Sequence, residues 1–552
     1  MVGIDQTPVA ATAGVEARHR LCCSRRAWPP AHFGTTVSSA CLLGRKELRV
    51  STSRVTDVPL RSPDRLFIGG EWVAPASPAS FDVIDPTTEE SFLRVAKASP
   101  ADIDRAVAAA RQEFDRGSWP HLAPELRAEY LRAFAREIIQ RTEDFVQIWP
   151  RECGALPAVV RQVTSNAGDA FSNTADLIES VPLIEEVAPT PTFLPGGDFG
   201  LRVREPVGVV GAIVPWNGPL LIAALKVAPA LLAGCTVILK ASPEAPGEAY
   251  VLAEIAESIG LPAGVLNVVT ADRDVSERLV ADPRVDKIAL TGSTAAGRRI
   301  GQICADRCAR VTLELGGKSA AIVLDDADIE QAAAMLGATA CIMAGQTCAS
   351  LTRVIVSHNR HDDMVEALSA VLSAVRVGDP FEESTHMGPL VTRQHRERVE
   401  RYVATGIAQG ARLAAGGGRP KDLDRGWFIE PTVLADVDNS HTVAQEEIFG
   451  PVLSVIRADD ERHAVDLAND SIYGLNGAVF TTDADRAYAV ARRLRSGTVG
   501  HNALRADYGV AFGGFKQSGV GREGGSEGLL AYTETKVVLL DAAPAGFAGP
   551  QR

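Results

Sequence analysis

The chain has 552 residues, of which 46% are hydrophobic and 23% charged, and its formal net charge is −13. This composition is typical of a soluble globular protein with a core large enough for two or three domains. Because the chain has neither a long run of Lys and Arg nor an uninterrupted apolar run of about 20 residues, we expect no nucleic-acid partner and no membrane association.

The nine cysteines do not follow the spacing of a disulfide framework. Cys304 and Cys308 are spaced like half of a metal site, but no second pair of ligands lies nearby in the sequence, so no metal is expected. Reduced thiols of this kind favour a cytoplasmic location.

The first 63 residues differ in composition from the rest of the chain. They contain many arginines, few acidic residues and clusters of Ser and Thr, without helical or strand periodicity. We expect a disordered extension or a start codon assigned too far upstream. A transit peptide is the alternative, which the weak amphipathic pattern makes the poorer interpretation.

The first predicted elements follow this extension. Residues 66–72 combine apolar residues with Gly-Gly and a tryptophan, which predicts a short hairpin. Ser99 and Pro100 are typical of a helix N-cap and first helical position, and apolar residues recur at helical spacing as far as Phe114. A second helix is predicted over residues 125–141.

An alternating α/β pattern begins near residue 207. Residues 207–214, 235–240, 265–269 and 287–290 are continuous apolar runs, as expected for parallel strands that are buried on both faces. Helical segments such as 245–258 separate them. This alternation predicts a doubly wound fold.

A second α/β region is predicted after Lys318. Its strands are expected at 319–324, 354–356, 453–456 and 478–481, and a helix at 329–343. Two further segments, 192–205 and 533–540, are predicted to be edge or projecting strands, which are free to pair with another chain.

Cys348 and Glu314 are the first candidates for catalysis. Cys348 stands between small and polar residues, and Glu314 leads into a Gly-Gly turn. A thiolate attacks carbonyl groups well, and a carboxylate with a raised pKa activates water near neutral pH. A lone cysteine is more often a buried apolar side chain, so the neighbouring motifs must decide between the two interpretations.

Five other motifs are typical of ligand-binding loops, although none is specific alone. Residues 291–297 follow a strand and open a helix, which suits either an anionic ligand or a plain tight turn. Asn217 and Lys240 follow two of the predicted buried strands, where α/β sheets bind ligands. Residues 446–451 and 512–519 are glycine-containing loops.

Taken together, in this order and at these intervals, the motifs resemble the NAD(P)-dependent aldehyde dehydrogenase superfamily over residues 65–540. The resemblance implies an α/β fold of the aldehyde dehydrogenase type, with a Rossmann-type cofactor domain, an α/β catalytic domain and a small β oligomerisation element. The dinucleotide-binding domain would span 64–187 and 207–316, and the catalytic domain 317–520. Strands in 188–206 and 533–542 would form a homodimer or homotetramer.

The resemblance also implies a reaction. Cys348 would attack an aldehyde to form a thiohemiacetal and then a thioester, and Asn217 with the Cys348 backbone N–H would hold the oxyanion. Glu314 would activate the hydrolytic water, and Glu523 would relay protons. Glu314 favours a carboxylate product over the alternative of a coenzyme A-acylating semialdehyde dehydrogenase. A cysteine hydrolase without a redox role and a non-catalytic homologue are the remaining alternatives.

NAD is the implied cofactor, with NADP as the alternative. Lys240 would hold the adenosine ribose, but Pro243 occupies a place where NAD-preferring relatives often have a glutamate, and Arg273 can approach the adenosine phosphate. The implied cofactor-binding residues are Ile213, Pro215, Trp216, Lys240, Ser242, Glu244, Gly292, Ser293, Gly297, Leu315, Glu447 and Phe449.

The substrate is expected to be a bulky, apolar aldehyde. Relatives often have aromatic residues at the positions of Gly218, Cys341 and Ile342, and some have tryptophan at that of Leu225. The tunnel should therefore be wider and less aromatic here. The implied pocket residues are Gly218, Leu221, Leu225, Ile342, Thr347, Ala349 and Phe512.

Overall fold

The structure is a computed structural model that describes residues 57–190 and 197–545. The predicted extension lies mostly outside these described residues, as do residues 191–196 of the predicted oligomerisation segment. Within the described ranges, no helix is both long and apolar enough to cross a membrane.

The amino-terminal elements include the predicted hairpin and helices. The elements up to residue 190 are β1 (Leu66–Ile68), β2 (Glu71–Val73), β3 (Ser80–Asp85), β4 (Glu90–Ala96), α1 (Pro100–Arg116), α2 (Pro124–Gln140), α3 (Thr142–Cys153), α4 (Pro157–Asp176) and β5 (Ile184–Val187). α1 begins at Pro100 because proline suits the first helical position. The Asp102 carboxylate accepts a hydrogen bond from the Ser99 backbone N–H at 2.8 Å, which fixes this helix start.

The next segment alternates strands and helices, as the apolar runs predict. Its elements are β6 (Phe199–Pro206), β7 (Val209–Ile213), α5 (Pro219–Ala233), β8 (Thr236–Ala241), α6 (Gly247–Ser258), β9 (Leu266–Thr270), α7 (Arg273–Ala281), β10 (Lys287–Thr291), α8 (Thr294–Asp306) and β11 (Arg310–Glu314).

The remaining segment forms the second α/β region and the terminal strand. Its elements are β12 (Ser319–Val323), α9 (Ile329–Cys341), β13 (Leu351–Ser357), α10 (His361–Ser373), α11 (Arg393–Ala408), β14 (Arg412–Ala415), β15 (Thr432–Ala435), α12 (Thr442–Gln445), β16 (Val452–Ala458), α13 (Glu461–Asn469), β17 (Asn476–Phe480), α14 (Ala484–Ala491), β18 (Thr498–His501), β19 (Gly519–Val520), α15 (Gly525–Leu530) and β20 (Thr533–Leu540).

The first sheet has parallel strands at its centre, in the order β11-β10-β7-β8-β9. β19 pairs antiparallel with β11, and β1 pairs antiparallel with β9. The strand order reverses between β7 and β10, so the connections that follow these two strands diverge. Ligands of open α/β sheets bind in the crevice at such a reversal, and the fold therefore directs attention to residues 214–218 and 291–293.

The second sheet has the order β14-β15-β16-β13-β12-β17-β18, with only β14 antiparallel to its neighbour. Residues 315–318 connect the carboxyl end of β11 directly to the amino end of β12. The carboxyl edge of the first sheet thus meets the amino edge of the second. Separate apolar cores pack around the two sheets, which confirms the predicted α/β fold.

A third, small sheet has the order β20-β6-β5 and is antiparallel. Residues 192–205 were predicted to form an edge or projecting strand, and the edge position is wrong, because β6 pairs on both sides. Alternation of polar and apolar residues reports which face of a strand is buried, and it does not report whether the strand has a neighbour at each edge. β20 is an edge strand, and its Val537 and Leu539 are 60% and 51% exposed.

Candidate active site

A cavity of about 400 Å³ opens where the edges of the first two sheets meet. Strand ends and loops from both sheets supply its walls, as expected from the reversal of strand order between β7 and β10. The lining residues are Pro215, Trp216, Asn217, Thr291, Gly292, Ser293, Leu315, Gly316, Cys348, His395, Arg398, Glu447 and Phe449. The structure therefore brings together the predicted nucleophile, the predicted oxyanion donor and seven of the predicted cofactor residues.

The loop that carries Cys348 has a strained backbone. Met343, Ala344 and Gly345 have φ values of +53°, +53° and +72°, a left-handed conformation that is costly for the first two residues. Gly345 also lies so close to the Gly450 carbonyl that a Cβ would collide with it. The loop keeps this shape only because its surroundings hold it.

Gln346 holds the Cys348 loop from within. Its side chain donates to the Met343 carbonyl at 2.8 Å and accepts from the Val391 backbone N–H at 2.9 Å. Its own backbone carbonyl accepts a hydrogen bond from Asn217 Nδ2 at 2.9 Å. Asn217 follows β7, so this bond joins the first sheet to the nucleophile loop. Sequence reasoning gave Gln346 no role of its own.

Cys348 is half-buried at the cavity, among groups that disfavour its thiolate. Burial raises the pKa of the Cys348 thiol to about 12, and the negative charges of Glu447 and Glu314 contribute in the same direction. The thiol is therefore protonated at neutral pH unless a base or a positive charge approaches it.

Glu314 ends β11 with a buried side chain. Neither of its carboxylate oxygens has a hydrogen-bond partner among the described residues. Burial raises the pKa of Glu314 well above its usual value; Glu523 raises it further, and Lys226 lowers it. A carboxyl group with such a raised pKa is suited to accept a proton near neutral pH.

Glu523 forms a buried ion pair with Lys226. Lys226 lies on α5 and donates hydrogen bonds to Glu523 Oε1 and, at 2.7 Å, to Thr291 Oγ1. Sequence reasoning missed Lys226. It is the single charged residue of the otherwise apolar helix Pro219–Ala233, and a lone charge in such a helix is typical of a buried ion pair.

The predicted cofactor residues fall into two groups. Ser293 caps α8 by accepting a hydrogen bond from the Ala296 N–H at 3.2 Å, and the start of this helix lies at the cavity. The Trp216 and Phe449 rings make an edge contact, with centroids 5.5 Å apart. The predicted residues outside the cavity lining are Ile213, Lys240, Ser242, Glu244 and Gly297.

Lys240 belongs to the second group, at the carboxyl end of β8. Burial lowers the pKa of Lys240 to about 8, and Glu244 and Asp272 oppose this shift. Ser242 donates a hydrogen bond to Glu244. This polar set lies on the strand next to β7, so it borders the same edge of the first sheet as the cavity.

The structure places two of the predicted substrate residues, Ala349 and Phe512, against Cys348. Ala349, Phe512 and Leu475 form a small buried cluster against which Cys348 and Tyr508 pack. Tyr508 was not predicted, and its ring lies 5.1 Å from that of Phe512. Leu221 and Leu225 are buried on α5, and Gly218 and Thr347 are half-buried, whereas Ile342 is 40% exposed.

Comparison with known proteins finds relatives that match most of the chain and that agree in the family they indicate. The profile of the aldehyde dehydrogenase family matches residues 72–538. Geranial dehydrogenase from Castellaniella defragrans is 45% identical over 86% of this chain and 98% of its own length. 3-Succinoylsemialdehyde-pyridine dehydrogenase from Pseudomonas sp is 38% identical over 87% of this chain and 99% of its own length.

Solved structures agree with these relatives. An aldehyde dehydrogenase from Mycobacterium tuberculosis in complex with NAD+ is 43% identical, with a TM-score of 0.84 over 88% of this chain and 99% of that chain. A cysteine-to-alanine mutant of aldehyde dehydrogenase C from Pseudomonas syringae, in complex with NAD+ and octanal, is 38% identical, with a TM-score of 0.84 over 89% of this chain and 100% of that chain.

The environment of Cys348 predicts a slow reaction with alkylating agents. In the absence of cofactor and substrate, iodoacetamide should modify Cys348 far more slowly at pH 7 than it modifies the exposed thiol of Cys308. Since the thiolate is the reactive form and the pKa of Cys348 is about 12, its rate should keep rising with pH up to at least pH 10. Peptide mass spectrometry at several pH values measures both rates in one sample. A Cys348 rate that levels off near neutral pH would contradict this account.

Proposed function

The chain belongs to the aldehyde dehydrogenase family, and from that premise we propose its substrate class and the role of each site residue. It is an NAD-dependent enzyme that oxidises an aldehyde to the carboxylic acid. The observation that carries the assignment of roles is the 2.9 Å hydrogen bond between Asn217 Nδ2 and the Gln346 carbonyl. It holds the oxyanion donor beside the nucleophile loop, in one cavity with Cys348.

The residues around the cavity fit NAD. The start of α8, with Gly292 and the capping Ser293, suits the negatively charged pyrophosphate. Trp216 and Phe449 offer aromatic walls, and the Glu447 carboxylate can accept hydrogen bonds from ribose hydroxyls. When bound, NAD accepts the hydride that the aldehyde carbon loses. Lys240 and Glu244 are proposed to hold the adenosine ribose, with NADP as the alternative cofactor.

Cys348 is the proposed nucleophile. Its thiol gives up a proton to a water molecule, its sulfur bonds to the aldehyde carbon, and the carbonyl electron pair moves to the oxygen, which becomes an oxyanion. The side-chain amide of Asn217 has two hydrogens. One is donated to the Gln346 carbonyl; the other, together with the Cys348 backbone N–H, stabilises this oxyanion. Loss of hydride from the carbon leaves a thioester on the sulfur, so that one difficult oxidation becomes two easier steps.

Glu314 is the proposed base for the second step. It takes a proton from a water molecule, which attacks the thioester carbon; the carbon–sulfur bond breaks, and the acid leaves. The proton then passes towards Glu523, whose negative charge raises the pKa of Glu314 and which Lys226 holds by an ion pair. A buried carboxylate in this position supports hydrolysis over transfer of the acyl group to coenzyme A. The NAD+ complexes of relatives support the dehydrogenase over a hydrolase without a redox role.

A bulky, apolar aldehyde is the proposed substrate. Gly218, Leu221 and Leu225 have no aromatic ring, and Leu221 and Leu225 are buried; these residues are proposed to form an apolar side of the pocket. Tyr508 and Phe512 give the cysteine side an aromatic wall. A relative acts on geranial and another holds octanal, both of which have long apolar chains.

The proposed assembly is a homodimer or homotetramer in the cytoplasm. β20 is an unprotected edge strand with exposed Val537 and Leu539, which favours pairing with another copy of the chain. The described cysteines are free thiols, as is usual in the cytoplasm.

Glu314→Gln should separate the two chemical steps. The variant should release about one NADH per active site in a rapid burst, because the thioester still forms. Steady-state turnover should then fall by about 10²–10⁴, the usual contribution of a general base. Stopped-flow absorbance with octanal and NAD measures both phases. Cys348→Ala is the control and should show no burst, and steady-state turnover of Glu314→Gln within threefold of wild type would contradict the role of Glu314.

Leu225→Trp should narrow the substrate pocket. A bulky substrate that is overpacked against the larger side chain should bind about 1.4 kcal/mol less well, which corresponds to a tenfold effect. The kcat/KM for octanal or geranial should therefore fall about tenfold, whereas that for acetaldehyde should change little. In the wild type, bulky aldehydes should be preferred over acetaldehyde. If acetaldehyde is oxidised much more efficiently than every bulky aldehyde tested, the proposed substrate class is wrong.

A further inference from the structure

Helix α11 makes three hydrogen bonds to consecutive carbonyls of the loop that borders the cavity. Arg398 donates to the Glu447 carbonyl at 2.6 Å and to the Ile448 carbonyl at 2.8 Å. His395 Nε2 lies 2.6 Å from the Phe449 carbonyl. The two donors are three residues apart and therefore share one face of the helix.

The loop depends on these donors because it has no regular structure of its own. Residues 446–451 form neither helix nor strand. The Gly450 and Pro451 carbonyls accept hydrogen bonds from backbone N–H groups, whereas those of residues 447–449 accept from the side chains of α11. Phe449 has a φ of +62°, a conformation that is rare and costly for an aromatic residue. Side-chain donors from α11 compensate for both deficits.

His395 is a donor over the whole neutral range. A carbonyl oxygen only accepts, so the imidazole must carry its proton on Nε2. Burial lowers the pKa of His395 to about 4, while its bond to Phe449 and the charge of Arg398 act with less effect. The ring also packs against Trp216 and Phe449, with centroids 5.8 and 6.0 Å away. The hydrogen bond and the ring contacts fix Phe449 together.

The loop in turn directs Glu447 into the cavity. Glu447 Oε1 accepts a hydrogen bond from the Gly317 backbone N–H at 3.0 Å. Burial raises the pKa of Glu447, and the Gly317 bond, Arg398 and Lys318 lower it again. Arg398 thus holds the backbone of Glu447 and also favours the ionised carboxylate, which is the form that accepts two hydrogen bonds.

We infer that His395 and Arg398 are positioning residues that hold the Glu447–Phe449 segment in the shape that binds the cofactor. The inference rests on the proposed cofactor role of Glu447. Both side chains line the cavity, but the proposed role differs from direct binding, since His395 Nε2 and the two terminal nitrogens of Arg398 are directed to the loop carbonyls. Loss of either donor should weaken NAD binding without removing any proposed contact to NAD.

Isothermal titration calorimetry of the full-length protein with NAD tests the inference without relying on activity. Arg398→Met should raise the dissociation constant of NAD about tenfold, because two buried carbonyls lose a charged donor. His395→Leu should raise it about fivefold, and His395→Gln, which keeps an N–H donor, should restore most of the loss. Arg401→Met is the matched control, since Arg401 is an exposed arginine on the same helix, and it should bind NAD like wild type.

A double-mutant cycle distinguishes positioning from direct contact. In a Glu447→Ala background the added effect of Arg398→Met should shrink to less than about threefold, because the residue it positions is gone. An undiminished tenfold effect in that background, or unchanged affinity in Arg398→Met itself, would overturn the inference while leaving the proposed function intact. Unchanged affinity in Glu447→Ala alone would instead remove the proposed role of Glu447, and the inference with it. Should Arg398→Met fail to fold, Arg398→Lys, which keeps one donor, must show an intermediate loss.

Discussion

The hydrogen bond from Asn217 Nδ2 to the Gln346 carbonyl is the constraint on which the site depends. Asn217 belongs to a loop at the carboxyl edge of the first sheet, and Gln346 to a loop at the amino edge of the second. The bond therefore aligns two layers that have separate apolar cores. It also stabilises a loop whose backbone is strained at Met343 and Ala344. Preorganisation of this kind keeps the proposed oxyanion donor and the proposed nucleophile at a fixed separation before substrate arrives.

Burial of ionisable groups is the second physical effect that shapes the site. Cys348 and Glu314 are both shifted towards their neutral forms, mainly because they are removed from water. A neutral thiol resists adventitious oxidation and alkylation, and a carboxyl group with a high pKa is ready to exchange protons near neutrality. The Lys226–Glu523 ion pair places two opposite charges, which compensate each other, near Glu314. Without ligands the site therefore has low reactivity, and its reactivity depends on the cofactor and substrate that enter the cavity.

Much of the fold could be predicted because it depends on short-range patterns in the sequence. Continuous apolar runs gave the parallel strands, and Ser99 with Pro100 gave the start of α1. Cys348, Glu314 and Asn217 were selected as candidate site residues through the order of several weak motifs. Gln346, His395 and Arg398 were missed because their roles depend on contacts with backbone groups distant in sequence. The pairing of β6 on both sides was missed for the same reason, since polarity patterns describe faces and not edges.

In the proposed reaction, Cys348 carries an acyl group that only Glu314 releases efficiently. Peptide mass spectrometry of the Glu314→Gln protein, quenched in acid after mixing with NAD and octanal, tests it most directly. The account predicts one octanoyl group per chain on the peptide that contains Cys348, and none when NAD is omitted. An unmodified Cys348 peptide in the presence of NAD, or an acyl group on a different cysteine, would contradict it.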